Sequence, residues 1–212
     1  MDLNQQLLHC IRFGKNPDSL HRAESLIKKG ANANYTCDLT GDPLLHKAVK
    51  TATEDMVSLL LANGAKIENK DKDGWTPLMH AVLNDDVNMI SHLLTKKAKK
   101  ESKDNAGQTP LSIACSMSRF ESARTLINQG ANINTFDRFT GQTPLMKACS
   151  SWSPRQATSS IVLLLLKNGA NARRKSHEGK VALDYFNENK EFKCPDVEVA
   201  LKNATRSWWS FF

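Results

Sequence analysis

The chain has 212 residues, a formal net charge of +7, 40% hydrophobic residues and 24% charged ones. Its longest aliphatic run, Ile161 to Leu166, is far short of the ~20 residues a membrane span needs, and the first fifteen residues lack the apolar core of a secretory signal. Five cysteines, an odd and sparse count, exclude a disulfide scaffold and read as reduced packing residues, so a soluble, cytoplasmic chain is expected. Two glycosylation sequons, at Asn34 and Asn203, are chance matches on that reading.

Leu3, Leu7, Leu8 and Ile11 recur at helical spacing, and Ala23, Leu26 and Ile27 do so again before Gly30-Ala31. Next comes Gly41-Asp42-Pro43-Leu44-Leu45-His46-Lys47-Ala48, followed by a second apolar series, Met56, Val57, Leu60 and Leu61, that stops at Asn63-Gly64-Ala65. The eight-residue block returns as Gly74-Trp75-Thr76-Pro77-Leu78-Met79-His80-Ala81, but its second helix runs out into Lys96, Lys97, Ala98, Lys99, Lys100 and Lys103, with lysine in place of the stopping glycine and the apolar anchor. A regular copy starts at Gly107-Gln108-Thr109-Pro110 and closes at Gln129-Gly130-Ala131. The copy at Gly141-Gln142-Thr143-Pro144 carries five extra residues, assigned to a loop at Ser150–Gln156 that contains Trp152. A decayed block, Gly179 to Phe186, precedes a last helix through Val197, Ala200 and Leu201, and the chain ends Trp208-Trp209-Ser210-Phe211-Phe212.

Each block has a mechanical meaning. Glycine permits a positive φ in a tight turn. Threonine caps a helix whose first position suits proline. Leucine starts the buried stripe, and alanine lets a neighbouring helix approach. The later glycine is a left-handed helix stop. The block glycines are spaced 33, 33, 34 and 38 residues apart. Blocks of this composition at a 33-residue period resemble the ankyrin-repeat family over nearly the whole chain.

The resemblance implies an all-α solenoid of about six helix-turn-helix units with β-hairpin fingers and capped ends. The expected units are 1–37 (N-terminal cap), 38–70, 71–103, 104–137, 138–175 and 176–205 (C-terminal cap), with an aromatic tail at 206–212. It also implies protein recognition through a concave groove of finger tips and first helices. Carried over position by position, the groove holds Trp75, Leu83, Met117, Gln108 and Gln142, with Phe136 and Phe139 on one finger and Trp152 on the inserted loop. Lys96, Lys97, Lys99 and Lys100 form a basic turn, and Arg173, Arg174 and Lys175 a basic finger tip. Trp208, Trp209, Phe211 and Phe212 fold back as a cap, dock a partner, or touch a membrane surface. His46 fills a slot whose family role is bonding within the turn; His80, one position later, is expected at the surface. Cys115 and Cys149 share a slot in adjacent repeats, where helices ~8–10 Å apart are beyond the ~7 Å a disulfide tolerates.

No catalytic constellation, zinc motif or phosphate loop is found, so neither an enzyme nor a cofactor or metal is expected. The positive charge favours an acidic protein partner; nucleic acid is disfavoured, because no recognition helix or stacking platform accompanies it. The leading reading is a non-catalytic adaptor, monomeric or weakly self-associating. The alternatives are an effector acting on proteins of a host cell, and a membrane-proximal or self-associating scaffold using the tail. The lysine turn at 94–104 is expected to exchange its amides faster than the matching turn at 127–135.

Overall fold

The computed structural model describes residues 2–14, 16–37, 41–151, 155–190 and 193–206. Trp152 and the aromatic tail, Trp208, Trp209, Phe211 and Phe212, lie outside the described residues. The fold is all-α, with twelve helices among the described residues and none long and apolar enough to cross a membrane. The chain divides into two compact units, Met1–Asp104 and Asn105–Phe212.

The first unit contains α1 (Leu3–Arg12), α2 (Pro17–Lys28), α3 (Leu44–Thr51), α4 (Glu54–Ala62), α5 (Pro77–Leu83) and α6 (Val87–Thr95). α1 packs on α2 and α3, and α3 on α4 and α5, so each helix pair covers the apolar face of the next. Leu7, Ile11, Leu44, Leu45, Met56, Leu60, Leu78, Met79, Met89, Ile90 and Leu93 are fully buried, each worth roughly 1.5–3 kcal/mol of transfer free energy. Thr76 caps α5 by accepting from Met79 N at 3.4 Å, while Met79 Sδ accepts from Thr76 N at 3.4 Å. At α3 the cap is Pro43, which has no N–H and no capping side chain, so the reciprocal bond is missing there.

The second unit contains α7 (Pro110–Ser116), α8 (Phe120–Asn128), α9 (Pro144–Cys149), α10 (Arg155–Lys167), α11 (Ala182–Glu188) and α12 (Pro195–Arg206). α7 packs on α8 and α9, α9 on α10 and α11, and α10 on α12. The five-residue insertion is not all loop, as its serines and proline suggested. α10 has thirteen residues where α4, α6 and α8 have nine, and Gln156 is helical. Ser160 is absorbed there by donating its Oγ–H to Gln156 O at 2.9 Å, which satisfies the hydroxyl inside the helix.

Among the described residues the fingers carry no strand ladder, and the one isolated β-bridge joins Thr36 and Pro43. Two fingers are turns closed by a backbone bond from Asp71 N to Trp75 O (3.0 Å) and from Asp137 N to Gln142 O (3.1 Å). Each turn is then held by its aspartate: Asp71 Oδ1 accepts from Asp73 N and Trp75 N, and Asp137 Oδ1 from Phe139 N and Thr140 N. These side-chain bonds take the place of the ladder bonds.

Candidate interaction surfaces

In the first unit, Trp75 and Leu83 are half-buried rather than open to water. Trp75 is positioned through its backbone: its N–H donates to Asp71 Oδ1 at 2.9 Å and its carbonyl accepts from His46 Nε2 at 2.9 Å. His46 is fully buried, as expected, but the bond it makes reaches the turn of the following repeat and not its own. The expectation for His80 is corrected. It is 6% exposed, its ring lies 5.3 Å from that of Trp75, and its Nε2 is 2.7 Å from Asp71 Oδ2. Asp71, nine residues earlier in the turn, folds back over α5 and draws the histidine in. Burial pushes His46 down to about 4 and also lowers His80, against the opposing pull of Asp71. Burial would raise Asp71, but the hydrogen bonds from Trp75 and His80 outweigh it and hold the carboxyl below its ordinary value.

Lys96, Lys97 and Lys99 are exposed at the end of α6, and Lys100 is half-buried. Lys97 keeps the left-handed stop conformation, with φ of 70°, and Ala98 N still closes on Leu93 O at 3.0 Å. Glu68 braces this turn by accepting from Lys99 N at 2.8 Å and Ser102 Oγ at 2.6 Å. Asn34 does the same for Lys66 in the preceding turn.

In the second unit, Met117 is 46% exposed and Gln142 half-buried, and both line one pocket of about 620 Å³ with Ser116, Arg119, Lys147 and Ser150. The remaining predicted residues there, Gln108, Phe136 and Phe139, do not line it. Lys147 pairs with Asp137 at 3.1 Å. Arg119 Nε is buried with no hydrogen-bond partner. Behind the wall, Ser118 Oγ meets Ser151 Oγ at 3.0 Å and Thr158 Oγ1 at 2.9 Å, pinning α10 against the turn between α7 and α8. Arg119 and Lys147 were missed in the sequence, because nothing in the repeat pattern distinguishes them from solvated charges.

The finger phenylalanines stay exposed, 39% at Phe136 and 63% at Phe139, and each carries an arginine on its ring. The Arg174 guanidinium lies 3.9 Å over the ring of Phe136, and that of Arg138 4.7 Å over Phe139. Arg173 Nε donates to Thr205 O at 3.0 Å. Of the expected basic tip, Lys175 is exposed and Arg174 half-buried. Burial raises both Cys115 and Cys149 strongly, so neither thiol is poised as a nucleophile.

Comparison with known proteins follows the same periodicity. A family model described as Ankyrin repeats (3 copies) matches residues 7–104, 45–137 and 95–176. The 2-5A-dependent ribonuclease of Mus musculus is 42% identical over 60 residues, 28% of this chain and 8% of that protein. The fibronectin type 3 and ankyrin repeat domains 1 protein of Mus musculus is 50% identical over 42 residues, 20% of this chain and 12% of that protein. These alignments span only a small part of either relative. The crystal structure of an ankyrin repeat domain from Acinetobacter baumannii superimposes with a TM-score of 0.80, covering 96% of this chain and 99% of that one at 22% identity.

Proposed function

Because the chain belongs to the ankyrin-repeat family, we propose that it is a non-catalytic protein-recognition module whose second unit receives an acidic or polar side chain of its partner in the Met117 pocket. Repeats of this fold are typically binding modules. The observation that carries the specific reading is the pairing of an exposed Met117 with Arg119, whose Nε is buried and unpartnered, in one pocket. Methionine and arginine are both enriched in interface cores. An incoming carboxylate would meet the positive charge of the arginine at the pocket wall while the thioether covers the neighbouring methylene groups. Lys147 adds positive charge, though Asp137 already offsets it. The cytoplasm suits the five free cysteines.

The test compares partner capture by the full chain, by Met117→Ala with Gln142→Ala, by Arg119→Gln, and by a chain ending at Thr205. Loss from the pocket variants by about tenfold or more in affinity supports this reading. Loss confined to the shortened chain moves recognition, membrane contact or self-association to the aromatic end. Partners drawn only from a foreign cell's lysate would favour the effector reading.

A further inference from the structure

We propose that His46, Asp71 and His80 form a binding site for a divalent transition-metal ion of the zinc class. The three residues come from α3, from the finger turn and from α5, all in the first unit. One ligand atom from each lies within 4.8 Å of the others. His46 is fully buried, while the side chains of His80 and Asp71 keep 7% and 6% exposure, so the cluster reaches the surface by an edge.

The donor set selects the ion. Two imidazoles and one carboxylate suit zinc, cobalt or copper, with a fourth position for water. Calcium and magnesium want a cage of oxygens, which this is not. The carboxylate is already oriented, because its Oδ1 is fixed by the Asp73 and Trp75 amides at 3.0 and 2.9 Å, leaving Oδ2 toward His80. A cation entering between His80 Nε2 and Asp71 Oδ2 replaces the proton in their 2.7 Å hydrogen bond. That proton then resides on His80 Nδ1, giving the tautomer whose Nε2 lone pair faces the metal. The Trp75 carbonyl, 2.9 Å from His46 Nε2, is a further oxygen beside the cluster.

A second observation is independent of this convergence. The Nδ1 atoms of both His46 and His80 are buried and have no hydrogen-bond partner. Each ring therefore has only one nitrogen engaged; His46 keeps its proton on Nε2, donated to the Trp75 carbonyl, and offers the lone pair of Nδ1. At the slot of His46, Met79 and Met146 accept the N–H of the capping threonine at 3.4 and 3.5 Å. That bond is closed to His46, because its cap is Pro43. In place of capping, the His46 ring bonds the Trp75 carbonyl of the following repeat, which holds it beside Asp71 and His80.

The full chain is stripped with a chelator and titrated with ZnCl2 by calorimetry, and with CoCl2 by visible absorption. One equivalent is expected, with a four-coordinate cobalt spectrum lacking thiolate charge transfer. His80→Gln and Asp71→Asn each weaken binding about tenfold or more, while Cys194→Ser and His177→Gln leave it unchanged. Should the first two variants lose helicity, nitrogen NMR of the wild type decides: Zn²⁺ shifts the ring nitrogens of His46 and His80 and leaves those of His177 in place. No binding, binding that persists in folded His80→Gln, or shifts confined to other histidines overturns the proposal.

Discussion

Lys97 stands at φ 70° in the left-handed position that Gly64 holds at 85° one repeat earlier. Both residues close the same helix end, since Gly64 N donates to Leu61 O at 3.2 Å and Lys97 N to Leu94 O at 3.0 Å. A residue with a Cβ is strained there. Lys97→Gly is therefore expected to stabilise the protein by about 0.5–1 kcal/mol, after the added unfolded-chain entropy of glycine is subtracted. Urea unfolding should show a higher midpoint with an unchanged slope. An unchanged or lower midpoint would mean that this turn stores no strain.

Glu68 holds the lysine turn through Lys99 N and Ser102 Oγ. Removing it leaves two donors without their charged acceptor, a loss of about 1.5–3 kcal/mol. Glu68→Ala should speed amide exchange across residues 98–103 while leaving 127–135 as in the wild type. In the wild type, 94–104 is still expected to exchange faster than 127–135, because neither the glycine nor the isoleucine of the regular turn is present.

Asp137 gives the second unit an acid-sensitive joint. Burial pushes its carboxyl up, but the hydrogen bonds from Thr140 Oγ1 and N–H and from Lys147 prevail and leave it below its ordinary value. As pH falls, the unfolded chain takes up this proton first, near a pKa of about 3.9. The stabilisation is thus complete above that value and is lost as pH drops through the folded one. Asp137→Asn should cost about 1.5–3 kcal/mol at neutral pH and flatten the dependence below about pH 4. Equal acid sensitivity in variant and wild type would count against the assignment.

The Arg174 guanidinium lies 3.9 Å over the Phe136 ring, a cation–π contact that suits arginine better than lysine. A double-mutant cycle with Arg174→Lys and Phe136→Ala should give a coupling of about 0.5–1 kcal/mol in stability. Zero coupling would mean that the contact adds nothing to stability.

The helices were legible because their causes are local. Thr76-Pro77, Thr109-Pro110 and Thr143-Pro144 each start a helix by a cap and a preset φ, and Gly64, Gly130 and Gly169 stop one. The position of His80 was not legible, because its burial depends on Asp71 returning across the turn, a tertiary contact without a periodic trace. The Met117 pocket was half legible: the repeat register marked Met117 and Gln142. Arg119 and Lys147 acquire meaning only from what α7, α9 and the intervening turn bring together. The extension of α10 was hidden by serines, whose preference for loops is overridden when a hydroxyl can bond back along its own helix.

The account's central claim is that the Met117 pocket is where the partner binds. The direct measurement places a photo-activated cross-linking residue at position 117, and in a second protein at Leu163, which is 40% exposed on α10. The account predicts a dominant cross-linked partner from position 117, abolished by Arg119→Gln and absent from position 163. Equal capture from both positions, or capture from 117 that is indifferent to Arg119, would contradict it.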